Sequence, residues 1–306
     1  FYLAIYVTLF PQLIAGPIVR YKDVNNSLYH RRHSVEQIYI GLRRFMIGLM
    51  KKVILANTYG ELCKNLKYAD EKSVLLYWLY GIGFCLQIYF DFSGYSDMAI
   101  GLGKFFGFDF LENFYYPYIS KSITEFWRRW HISLGSWFRD YLYIPLGGNR
   151  VSTARWLFNI FIVWFLTGLW HGADWNFVIW GLFYAFLLVI EKLWLKERLE
   201  KLPDIFSHVY VHFMVMIGFI IFDAPSLSTA IENIGGLFAF TKLPAADLYT
   251  SYQFKSYAFI LIIGMIAATP IPKKIGDYIQ RKKYGAYLIR ICEPILLILC
   301  LLLVTA

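Results

Sequence analysis

Seven stretches of this sequence carry no Asp, Glu, Lys or Arg: residues 1–19, 73–90, 156–173, 175–190, 205–222, 256–272 and the terminal 294–306. A helix needs roughly 17–25 predominantly apolar residues to cross the hydrocarbon core, and most of these runs have that length. A chain that repeats such runs is a polytopic membrane protein, so it is expected to be all-α, a bundle of transmembrane helices. Hydrophobic residues make up 58% of the chain and charged residues only 17%, which agrees with that class rather than with an ordinary soluble domain.

The formal net charge of +9 raises the question of nucleic acid, but the distribution of charge answers it. Residues 20–52, 91–155, 191–204 and 273–290 hold 25 of the 30 Lys and Arg, against 5 in 61–72 and 223–255. That asymmetry is the positive-inside pattern and puts the basic segments on the cytoplasmic side. The bases are chiefly topogenic, some of them meeting anionic headgroups or an anionic substrate, and no nucleic-acid partner is expected. The four cysteines (Cys63, Cys85, Cys292 and Cys300) show no paired spacing, so neither a disulfide framework nor a metal site is expected. The chain opens on Phe1, in an apolar run without a cleavage signal, and at least one further span is expected upstream.

Within the first run, Pro11, Gly16 and Pro17 predict a broken or re-entrant segment rather than a straight span. Ser34 and Gln37 form a capping-box pattern opening a basic helix through Arg43, Arg44, Lys51 and Lys52. These cations read first as snorkelling side chains and second as phosphate ligands. Asp91 and Asp97 lie at or just beyond the end of the 73–90 run. Six residues apart on a helix, they point in different directions and make a poor catalytic pair. Gly94, Gly101, Gly103 and Gly107 would let another helix approach closely. His208 and His212, at i and i+4, read as polar packing groups rather than metal ligands. Residues 223–255 read as an external loop with a shallow helix.

The core of the chain is residues 121–184, with His131, His171 and eight of the ten tryptophans. Ser122 and Glu125 make a capping box, and Pro145 with Gly147 and Gly148 ends the segment. Read as one helix, it puts Trp127, Trp130, His131, Leu134, Trp137, Phe138, Tyr141 and Leu142 on one face. Arg128, Arg129, Ser136, Arg139 and Asp140 lie on the other. The aromatic face lies either against the bilayer surface or along an internal cavity. His171-Gly172-Ala173-Asp174 joins two spans, and the corner is either at the outer surface or a break held at depth. A neutral imidazole is the natural base at pH 7, and it needs no nucleophile of its own when the substrate brings a hydroxyl.

FWRRWHISLGSWFRDYLYIPLGGNR (126–150) and TGLWHGADWNFVIWGLFY (167–184) resemble the membrane-bound O-acyltransferase family, and within it the bacterial alginate O-acetylation branch. FPQLIAGPIVRY (10–21), GLRRFMIGLMKKVILAN (41–57) and YFDFSGYSDMAIGLGKFFGF (89–108) resemble the same group, in the expected order. The resemblance implies one transmembrane domain over 1–306, built around a central funnel or tunnel. It also implies His171 as the catalytic histidine, with His131 as the second characteristic polar position. Acetyl-CoA would be the cytoplasmic donor, with Arg128 and Arg129 candidates for its phosphates. The product would be an O-acetylated envelope or secreted polysaccharide, made with an extracytoplasmic acetyltransferase partner at a bacterial cytoplasmic membrane. The alternatives carried forward are D-alanyl transfer to teichoic acid, a secondary transporter using the histidines as a proton relay, and an inactive scaffold. Asp91, Asp97, Arg139, Asp140 and Asp174 fall in the same blocks with no role assigned.

Overall fold

A computed structural model describes residues 1–13, 16–31 and 33–305; Ile14 and Ala15 of the Pro-Gln-Leu-Ile-Ala-Gly-Pro block lie outside it. Every regular element among the described residues is helical. In chain order the α-helices are α1 (Tyr2–Val7), α2 (Tyr21–Tyr29), α3 (Val35–Met50), α4 (Asn57–Lys67), α5 (Val74–Phe105), α6 (Ile123–Arg129), α7 (Ile132–Phe138) and α8 (Thr153–His171). They continue as α9 (Trp175–Ile190), α10 (Lys196–Leu199), α11 (Asp204–Asp223), α12 (Leu227–Gly236), α13 (Leu248–Ala267), α14 (Ile271–Gln280) and α15 (Gly285–Thr305). Among the described residues, five helical segments are long and apolar enough to cross a membrane: α5, α8, Trp175–Leu199, α11 and α15. The pair α13 and α14, bent by 67° beside Pro270, is a sixth if taken as one broken span. The protein is therefore an all-α polytopic membrane protein. The first run is broken, as its prolines require: α1 stops at Val7 and a short 3-10 turn, Phe10–Gln12, follows.

The chain divides into two compact units: Phe1–Gly60, Leu86–Tyr115 and Ile260–Ala306 form one, and Glu61–Cys85 and Tyr116–Phe259 the other. In the first unit, α3 packs on the second half of α5 through a small-residue seam. A Cβ added to Gly41 would stand 2.6 Å from the Gly101 carbonyl, and one on Gly48 2.5 Å from that of Gly94. Backbones this close leave no room for a side chain, which is the contact the α5 glycines anticipated. Helix α5 does not end near Phe90. It continues to Phe105, because its carboxylates meet cations of the neighbouring helical segment instead of solvent. Asp97, only 6% exposed, accepts from Arg44 Nε (2.8 Å) and Nη2 (2.6 Å) and from Lys51 Nζ (2.7 Å). Arg44 also bridges to Glu112 at 2.6 Å, and Lys52 pairs with Asp91. These cations are thus engaged by carboxylates within the protein rather than open for phosphate. Burial would lower the Arg44 pKa, but Asp97 and Glu112 raise it overall. In α15, Glu293 is neutralised by Arg43 and accepts from the Tyr39 hydroxyl.

In the second unit, α8 and α9 form an antiparallel hairpin. A Cβ at Gly168 would lie 2.5 Å from the Phe177 carbonyl, and one at Gly181 2.3 Å from that of Trp164. Buried Asn176, at the start of α9, donates to the Ala224 carbonyl (2.9 Å) just past the end of α11. Within 223–255 the chain forms the helix α12, and α13 begins in the same stretch, at Leu248.

Candidate active site

The site lies in the second unit and begins with a break in a helix. Ser122 caps α6 as its sequence requires, its Oγ accepting from the Glu125 amide at 3.0 Å. The Glu125 carboxylate reaches back one residue further than a capping box, to the Lys121 amide at 2.9 Å. Helix α6 ends at Arg129, and the continuous helix expected through residue 143 does not form. His131 takes φ 47°, ψ 51°, the left-handed region, and becomes the N-cap of α7. Tyr116 and His131 are the non-glycine residues with positive φ among the described residues. A non-glycine residue held there costs on the order of 1–3 kcal/mol, and such strain concentrates at working sites. The single face drawn through Trp127, His131 and Tyr141 is therefore corrected to two short faces that meet at His131. The histidine lines the protein interior, at 5% exposure, rather than a lipid-facing surface.

Trp170 links the two histidines. Its ring centroid is 6.2 Å from that of His131 and 4.9 Å from that of His171. His171, the last residue of α8, also meets Trp180 at 5.0 Å and Phe222 at 5.2 Å, both edge to face. Trp180 touches Trp127 of α6 at 5.6 Å, and Trp127 in turn packs on Trp164 and Tyr184. Asn176 keeps the end of α11, and with it Phe222, against this cluster. Burial lowers His131 to about 3, with a smaller contribution when His171 is protonated, so it is neutral at physiological pH.

His171 is not in an exposed loop, but the residues just after it are: Ala173 and Asp174 are exposed and Trp175 is 74% exposed. The nineteen residues of α8 rise about 28 Å, nearly the ~30 Å thickness of the hydrocarbon core. The shielding of His171 comes from the rings packed around it. Among the described residues no carboxylate, serine or cysteine is hydrogen-bonded to His171. The arrangement suits a base whose nucleophile arrives with the substrate.

The other predicted residues are held elsewhere. Arg129 bonds to Glu125 through Nε (2.9 Å) and Nη2 (2.8 Å), while Arg128 is exposed. Asp174 is an exposed N-cap residue of α9 whose side chain makes no cap bond. Arg139 pairs with Asp140 at 2.7 Å. His208 lies 3.2 Å from the Ser120 carbonyl and His212 2.7 Å from the His208 carbonyl, so both serve packing. Sequence reasoning missed the bridging place of Trp170 and the role of Glu191. Glu191 opens 191–204, one of the basic segments, yet it is 1% exposed and hydrogen-bonded to the start of α6. Its position directly after an uninterrupted apolar run was the available signal.

The sequence pattern of the MBOAT, membrane-bound O-acyltransferase family, matches residues 1–222. A probable alginate O-acetylase AlgI of Azotobacter vinelandii is 44% identical over 270 residues, covering 86% of this chain and 54% of the relative. A peptidoglycan O-acetyltransferase of Helicobacter pylori is 38% identical, covering 76% of this chain and 46% of the relative. A teichoic acid D-alanyltransferase of Bacillus subtilis is 31% identical, covering 71% and 60%. The chain thus spans about half the length of the alginate and peptidoglycan relatives. With the family pattern matching residues 1–222, a stretch that includes both histidines, the chain belongs to the membrane-bound O-acyltransferase family.

Proposed function

We propose that this chain is the membrane-embedded core of an O-acetyltransferase. It takes acetyl groups from cytoplasmic acetyl-CoA and passes them outward for O-acetylation of an envelope or secreted polysaccharide. The observation that carries this reading is the pair of histidines on either side of Trp170, one of them strained and buried, the other ending a span. The 44% identity to an alginate O-acetylase over most of the chain, against 31% to a D-alanyltransferase, favours acetyl as the group moved.

In this reading His171 takes the proton from an acceptor hydroxyl as its oxygen attacks the thioester carbonyl. The C–O ester bond forms, the C–S bond breaks, and the CoA thiolate leaves and recovers a proton from the imidazolium. His131, held neutral, can donate from a ring N–H to the developing oxyanion. The rings of Trp180 and Phe222, packed on His171, would keep water from the thioester. Exposed Arg128 is the better of the two arginines for a donor phosphate, because Arg129 is already engaged by Glu125. The basic loops give a cytoplasmic donor side, and the reading includes a single domain around a funnel or tunnel in a bacterial cytoplasmic membrane. An extracytoplasmic transferase would complete delivery to the polymer.

The test is deletion of the gene followed by assay of each envelope and secreted polymer for base-labile esters. Loss of acetate from a polysaccharide is expected. Loss of D-alanine from teichoic acid would favour the alternative transfer, and unchanged esters throughout would contradict both.

A further inference from the structure

Glu191 is nearly inaccessible, and among the described residues it has no ion-pair partner. Its carboxylate instead accepts three hydrogen bonds from the first turn of α6: the Ile123 amide at 2.5 Å, the Thr124 amide at 2.9 Å and the Thr124 hydroxyl at 2.8 Å. Burying a carboxylate costs several kcal/mol unless its lone pairs are satisfied in good geometry. Here the free amides and positive end of the α6 dipole do so. Helix α6 is seven residues long, about 10 Å. Its N-terminus is therefore tied to the end of the α9 segment, and its C-terminus delivers Trp130 and the left-handed His131. Phe126, fully buried, stacks on Trp130 at 5.5 Å, and Trp127 carries the contact to Trp180 beside His171.

From this we infer that Glu191 is a positioning residue of the reaction, anchoring α6 so that His131 is held in its strained place beside Trp170. The inference rests on the acetyl-transfer reading above. A non-glycine residue persists in the left-handed region where the surrounding structure holds it, and for a helix of seven residues the bonds at its far end belong to those surroundings. Rings alone resist rotation or sliding of the helix weakly, and the three directional bonds to Glu191 define the helix's rotation and its axial position. A shift of about 1 Å at a reacting group is enough to lower a rate by about a hundredfold.

The test uses the intact protein in native membranes, with labelled acetyl-CoA as donor. Each histidine is also labelled with diethyl pyrocarbonate and located by mass spectrometry. Glu191→Ala is expected to lower kcat about a hundredfold with donor KM unchanged. His131 should become reactive, while His171 and the exposed His30 and His33 react as before. Glu191→Gln, which keeps one acceptor oxygen and the shape, should recover part of kcat. If Glu191→Ala fails to accumulate, Glu191→Gln and Thr124→Val carry the same comparison in milder form. Wild-type kcat, a still protected His131, or a general rise in reactivity at both histidines would overturn the inference. Transfer lost in His131→Ala and His171→Ala but intact in Glu191→Ala would overturn the inference alone. Transfer intact in both histidine variants would overturn the reading beneath it as well.

Discussion

The first unit's α5 carboxylates and the second unit's two histidines are held in opposite ways. In the first, every carboxylate along the second half of α5 is answered by a cation: Asp97 by Arg44 and Lys51, Asp91 by Lys52. In the second, the two histidines lie among indole and phenyl rings, and His171 meets no carboxylate among the described residues. A network of paired charges is fixed and has little left to offer a substrate. A neutral base among rings is available to take up a proton when a reaction supplies one. The contrast separates residues that hold the helices together from residues suited to chemistry, although both kinds fall in the blocks that resemble the family.

The sharpest way to break this contrast is at Asp97. Its removal strands Arg44 and Lys51, and breaking a buried pair costs about 3–5 kcal/mol, toward the lower end here because the Arg44 side chain is 32% exposed. Asp97→Ala should therefore cut the amount of folded protein severalfold, with per-molecule activity of the surviving fraction unchanged, as read by detergent-extracted yield against acetyl transfer. A selective loss of activity at full yield would move Asp97 to the chemical side.

What the sequence made legible follows from the same division. Charge-free runs announced the spans, and Ser34 and Ser122 marked their helix starts, with the Gln37 and Glu125 amides donating to them as expected. The Pro-rich first run announced its break. The break at His131 was not legible, because Trp-Arg-Arg-Trp-His-Ile contains no glycine or proline to mark it. Tertiary contacts, the Trp127 and Phe126 rings and the Glu191 anchor, impose that turn against local preference. Asp91 and Asp97 looked like residues at the end of a span because their partners lie some forty to fifty positions away along the chain. Glu191 was hidden by the charged residues that follow it.

The second prediction concerns acid. His131 is lowered to about 3 from 6.5, mainly by burial. Between those values the unfolded chain binds a proton that the folded protein does not, so stability falls as pH drops below about 6.5. At pH 5 the loss is about 2 kcal/mol. Thermal inactivation of the detergent-solubilised protein between pH 7 and 5 should show this slope, and His131→Asn should make it shallower. An unchanged slope in the variant would mean that His131 does not sit neutral in the fold. The smallest effect is at Arg128, the proposed donor contact. Arg128→Glu should raise donor KM by roughly threefold to tenfold, the modest effect of an exposed charge contact. Arg129→Glu should act mainly through loss of its bond to Glu125. Equal donor KM in Arg128→Glu and wild type would remove Arg128 from the donor site.

The central claim is that His171 performs the chemistry. It is tested most directly by acetyl transfer from labelled acetyl-CoA in membranes bearing equal amounts of wild-type protein and His171→Ala. The account predicts that base-labile labelled ester falls by at least about a hundredfold in the variant, the minimum expected for a lost general base. Ester formation at the wild-type rate would contradict it.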